Sequence, residues 1–178
     1  MYTLGTTIPP KQLEAFAEKR QATSFSYGLD VNKLAIVMKF GMEDGTAQTL
    51  IFNGNQAKHI AATVSDGMRR FSWRNKYNPD ASKMPAAIRR FLNDGPKIEA
   101  NDWSGTGADG ELHAAMGLQI DTSRSAFLIT AWLSKDIITV IKLQPDQAVL
   151  VARAIAGSME AGDLLTAEEL MQSARLKR

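Results

Sequence analysis

Cysteine is absent from the 178 residues. That excludes disulfides, thiolate metal sites and thiol nucleophiles together. Histidine is scarce: only His59 and His113 occur, with no carboxylate or nucleophile at a telling spacing. A general base needs a positioned partner, and the sequence offers none. His59 reads as a half-buried helix residue, and His113 falls on the less apolar face of a strand. No G-x-S-x-G, H-E-x-x-H or Walker A pattern is present. A non-enzymatic protein without cofactor or metal is the expectation. No apolar run approaches the roughly 18 to 20 residues of a membrane span. The start, Met1-Tyr2-Thr3-Leu4-Gly5, lacks the basic and apolar regions of a signal peptide. A cytoplasmic protein with no membrane partner is expected. The net charge of +2 is too small to name a partner.

Two apparent motifs dissolve on inspection. Gly105-Thr106-Gly107-Ala108-Asp109-Gly110 spells G-x-G-x-x-G. The dinucleotide fingerprint needs a helix after it, and here a strand-like run follows, so the stretch reads as a loop. Asp102, Asp109 and Glu111 supply oxygen ligands near that loop. Their spacing does not fit an EF-hand, and a solvated acidic loop is the simpler reading.

What the chain does contain is a repeat. Adding 91 to the run Gln56 to Met68 matches Gln56 with Gln147, Ala57 with Ala148 and Ile60 with Val151. Ala61 meets Ala152, Val64 meets Ile155 and Met68 meets Met159. The apolar matches fall on one helical stripe. Upstream, Thr49-Leu50-Ile51 matches Thr139-Val140-Ile141 at an offset of 90. Further back, Gly28-Leu29-Asp30-Val31 resembles Gly117-Leu118-Gln119-Ile120 at 89.

Period-two alternation marks three strands before each helix. The first set is Ser24 to Val31, Lys33 to Phe40 and Thr46 to Phe52. The second is Leu112 to Ile120, Ser125 to Leu133 and Ile137 to Leu143. Met42-Glu43-Asp44-Gly45 is a hairpin signal. Asn53 or Asn55 suits the cap of the first helix, and Pro145-Asp146 opens the second. Thr166-Ala167-Glu168-Glu169 has capping-box spacing. The expected fold is α+β, an internal duplication of a βββα unit with a pseudo-two-fold. Its parts are an N-terminal helix (1–23), a first unit (24–68), a basic helical linker with a glycine-rich loop (69–110), a second unit (111–160) and a C-terminal helix (161–178).

Charge is unevenly spread. Residues 69–97 hold eight cations against Asp80 and Asp94, leaving thirteen cations and seventeen carboxylates elsewhere. Arg69, Arg70, Trp73, Arg74, Lys76, Tyr77, Arg89 and Arg90 interleave cations with aromatics. Cations neutralise phosphates and flat rings stack on unpaired bases, so this segment is the candidate contact for nucleic acid, single-stranded by preference. The alternative is an interaction or assembly factor, of a phage, plasmid or bacterium. It would use an apolar outer face at Val149 and Leu150, with Arg153 beside them, where the first copy has Lys58 and His59; a terminal helix of the chain itself packed over Val149 and Leu150 is the other reading of that face. A homo-oligomer is compatible with both. In outline the layout resembles the Pur-alpha and Whirly families, which place a helix after several antiparallel strands and bind single strands. They carry one strand more per unit, and no residue role transfers.

Overall fold

The computed structural model describes residues 2–30, 32–71, 73 and 112–176. The chain is α+β, with two sheets of four and three strands and four helices among the described residues. In order these are α1 (Pro10–Phe16), β1 (Ala22–Leu29), β2 (Ala35–Met42), β3 (Ala47–Asn53) and α2 (Gly54–Arg70). Then come β4 (Leu112–Ala114), β5 (Gly117–Thr122), β6 (Phe127–Trp132), β7 (Ile138–Leu143), α3 (Pro145–Glu160) and α4 (Ala167–Leu176). No helix among the described residues is long and apolar enough to cross a membrane.

Alternation decides which side of each sheet faces the core. Ile36, Met38, Phe40 and Met42 of β2 point one way with Leu50 and Phe52 of β3, all buried. Phe127, Ile129 and Ala131 of β6 and Ile141 and Leu143 of β7 join the same core. Ala57, Ile60 and Val64 of α2 and Ala148, Val151 and Ile155 of α3 complete it. Burying each large side chain here stabilises the fold by about 1.5–3 kcal/mol before entropy is counted. The other face of the second sheet makes a smaller core. Leu128, Trp132, Ile138 and Val140 pack there with Ile8, Leu13 and Ala17. All six residues of β6 are therefore buried.

The run Leu112 to Ile120, expected as one strand, is two. β4 pairs in parallel with β3, and β5 pairs antiparallel with β6. The crossing lies at Ala115, whose N–H donates to Ile51, and Met116, whose N–H donates to Trp132. One stretch of chain thus stitches both sheets. The N-terminal region also differs from the expected helix over 1–23. Helix covers only Pro10–Phe16, and Ala22 and Thr23 already belong to β1.

Register corrects the offsets read from letters. The offset of 90 pairs Leu50, in the main core, with Val140, in the smaller core on the opposite face. Shifting by one residue reverses every side chain in a strand. Backbone pairing gives 91 instead: Met38↔Leu50 becomes Ile129↔Ile141, and Ile36↔Phe52 becomes Phe127↔Leu143. The same 91 carries buried Ala57, Ile60, Val64 and Gly67 onto buried Ala148, Val151, Ile155 and Ser158. For β1 the register gives 93, not 89: Phe25↔Phe40 becomes Leu118↔Ala131. The extra two come from the hairpin. Six residues separate paired Leu29 and Ile36, whereas four separate Thr122 and Phe127.

Two contacts run both ways between the halves at these offsets. Ile51 pairs in parallel with Ala114, and Lys142 pairs in parallel with Gln21 (51 + 91 = 142; 21 + 93 = 114). Gln56 Nε2 donates to the Ala115 carbonyl at 2.9 Å, and Gln147 Nε2 donates to the Ala22 carbonyl at 3.0 Å. A third pair is only similar: the Trp73 side chain donates through Nε1 to the Arg124 carbonyl at 3.3 Å, whereas the backbone N–H of Leu165, one residue past the position matching Trp73, donates to the Lys33 carbonyl at 3.1 Å.

Candidate nucleic-acid interface

Helix α2 starts at Asn53, whose Oδ1 accepts from Gln56 N–H at 2.8 Å. Gln56 Oε1 accepts in return from Asn53 N–H at 3.0 Å, closing a capping box. Asn55, the other candidate cap, serves a different helix: its Oδ1 accepts from Ala167 N–H at the start of α4. Cations suit the far end, where the helix dipole is negative. Arg69 and Arg70 occupy that last turn, with side chains 79% and 64% exposed. Both reach Asp66, at 3.2 and 3.7 Å. Exposed pairs of this kind contribute about 0–1 kcal/mol each. One carboxylate facing two guanidiniums leaves a net positive end. Arg70 also lies over the Phe71 ring, 5.5 Å from its centre.

Trp73 does not stand beside these cations as a stacking platform. Its side chain is in the main core, 7% exposed, edge-on to Phe127 and parallel to Phe71. Gly67 makes the room: a Cβ there would sit 2.5 Å from the indole. An aromatic in a basic run suits either a base or the core, and the apolar area of Trp73 goes to the gap over Gly67. Arg74, Lys76, Tyr77, Arg89 and Arg90 lie outside the described residues.

Val149 and Leu150, expected on an outer face, are 8% and 7% exposed and belong to the main core. The apolar face is covered by the protein itself. Arg153 is exposed on α3. His59, expected half-buried, is exposed on α2. It lines a groove with Asn55, Lys58, Thr166 and Glu168. There Thr166 and Glu169 form the expected box: Thr166 N–H donates to Glu169 Oε1 at 3.2 Å, and Glu169 N–H donates to Thr166 Oγ1 at 3.3 Å. Those Thr166 hydrogen bonds hold the Glu169 carboxyl below its usual range, with nearby Lys58 adding to the effect. Asp44 is held low in the same manner by Thr46, then by Arg20. A cleft of about 330 Å³ opens between α1 and the β5–β6 turn, with Glu14, Asp121 and Lys142 among its lining. No group of three or more metal-binding side chains occurs among the described residues.

The paired glutamines were missed as structural groups. The sequence did carry a signal for them: the 91-residue match joins Gln56 to Gln147, polar letters at the head of two apolar stripes.

No protein family, curated protein or solved structure matches this chain. The outline likeness to the Pur-alpha and Whirly families therefore carries no further argument.

Proposed function

We propose that this is a non-enzymatic nucleic-acid-binding protein, built on two copies of one βββα unit related by a pseudo-two-fold. The copies are supported by the shared register and by the two contacts made in both directions. The binding reading is supported above all by where the positive excess begins. The run of eight cations against two carboxylates opens at Arg69 and Arg70, which project from the C-terminal turn of α2. The reading rests on cations neutralising phosphates, since Trp73 is taken up by the core. Single strands are the preferred substrate, because Tyr77 remains within the run for stacking.

Salt tests this directly. The protein is expected to shift a labelled single-stranded oligonucleotide at about 50 mM salt and to lose about a thousandfold or more in affinity by 200 mM. Replacing Arg69, Arg70, Arg74 and Lys76 together by Glu is expected to abolish the shift with the circular dichroism spectrum unchanged. Absence of any shift by the wild type at the lower salt sinks the reading.

A further inference from the structure

We propose that the surface between the two halves is a dimer interface sufficient in itself, whose fitting partner is another copy of the same unit. The inference rests on the duplication just argued. A linker-dependent fold would place its half-to-half contacts near the connection. Here they are spread over both ends of both sheets and along α2 and α3.

The chemistry of the contacts is reciprocal. Each glutamine uses both ends of its amide. Gln56 Oε1 caps its own helix while Nε2 holds the other half at Ala115. Gln147 Oε1 accepts from Gln144 N–H at 2.8 Å while Nε2 holds Ala22. A helix start of one unit is thus tied to the backbone of the other, at the start of β1 for Gln147 and just ahead of β5 for Gln56. The chain leaving each helix then fills the opposite half. Trp73 lies against Phe127 and bonds at Arg124, whereas Leu164 is fully buried and Leu165 bonds at Lys33. Trp73 and the buried Leu164 stand 91 apart, as do the acceptors 33 and 124, although the bond to Lys33 comes from the backbone one residue on, at Leu165. A surface that gives and takes the same bonds at equivalent positions is the pattern of an isologous interface, which is self-complementary.

The test keeps the full chain. A protease site inserted between Gly107 and Ala108 is cut after the protein has folded, and the product is run on a non-denaturing sizing column. Both fragments are expected in one peak, in equal amounts, at the volume of the uncut protein, persisting on dilution to about 1 μM. Separate elution, or aggregation of the cut protein, overturns the proposal. In the cut protein, Gln56→Ala and Gln147→Ala are each expected to raise the dissociation constant about tenfold. Gln147→Glu keeps the capping acceptor and loses the donor to Ala22, and it is expected to weaken the complex at least as much. No change with any of the three overturns the reciprocal role. Failure of the duplication itself reads out elsewhere, as a different strand order in the two halves of an experimental structure of the uncut chain.

Discussion

The outer faces of the two sheets are made of different materials. On the second sheet, Leu128, Trp132, Ile138 and Val140 form an apolar floor for Ile8, Leu13 and Ala17. At the equivalent places on the first sheet stand Val37, Gly41, Ala47 and Thr49, flanked by Ser24, Ser26 and Lys39. The inner faces show no such divergence: Ile36, Met38, Phe40, Leu50 and Phe52 answer Phe127, Ile129, Ala131, Ile141 and Leu143. Covering the helices constrains both sheets alike. The second sheet, on its other side, also carries the N-terminal segment and α1.

Breaking the difference at its largest point gives the largest effect. Trp132 is 2% exposed and its Nε1 donates to the Tyr2 carbonyl at 3.1 Å. Trp132→Ala is expected to cost about 3–5 kcal/mol in urea unfolding and to release the N-terminal segment to proteolysis. Gly41→Ala, at the matching position, meets mainly the movable Ser24 hydroxyl and is expected to cost far less. Equal losses at the two sites would remove the contrast.

A second pair of positions sharpens the comparison. Gly67 with Trp73 in the first half stands 91 residues from Ser158 with Leu164 in the second. Gly67→Ser is expected to destabilise by about 1–3 kcal/mol, because the new side chain enters the indole's space. Adding Trp73→Leu is expected to restore part of that loss, which a double-mutant cycle measures. Strictly additive effects would mean that the two sites do not share that space.

The glutamines come next. Gln56→Ala and Gln147→Ala are each expected to lower stability by about 1–2 kcal/mol, by similar amounts, since each removes one cap and one tie between halves. Chemical denaturation of both variants checks this, and a loss confined to one would break the equivalence.

The smallest effect is a pH dependence confined to the C-terminal helix. Glu169 titrates below its ordinary value in the folded chain. Its contribution is thus present above the unfolded pKa and lost as pH falls through the folded one. Protection of the α4 amides, taken relative to their intrinsic exchange rates at each pH, is expected to fall as pH drops through the lowered Glu169 pKa, more in the wild type than in Glu169→Gln. Identical pH profiles would remove the box as the cause.

Much of this architecture was legible. Alternation marked six runs, five of them single strands and the sixth, Leu112 to Ile120, divided between β4 and β5; the apolar stripes found α2 and α3, and Thr166 with Glu169 announced α4. Letter similarity misled at the strands, because Thr-Leu-Ile and Thr-Val-Ile align well at 90 while their side chains face opposite ways. Only pairing partners reveal that parity. Val149 and Leu150 misled for another reason. An all-apolar helix surface reads the same whether a partner or the protein's own core covers it. Trp73 is similar: its neighbours in sequence are cations, but its neighbours in space are Gly67, Phe71 and Phe127. The basic run was fully legible as charge, and its two described cations are exposed at a helix end that favours them.

The parallel pairing of Gln21 with Lys142 has a consequence for how the chain is made. The two residues are separated by most of the sequence, and the residue that receives β1 is synthesised long after β1 itself. At about 5–20 residues per second, the first half waits roughly 6 to 24 seconds for that partner to be polymerised. During that time the strand has the first hairpin but not its seam with the second half. The protein's interval of greatest exposure is therefore set by the ribosome.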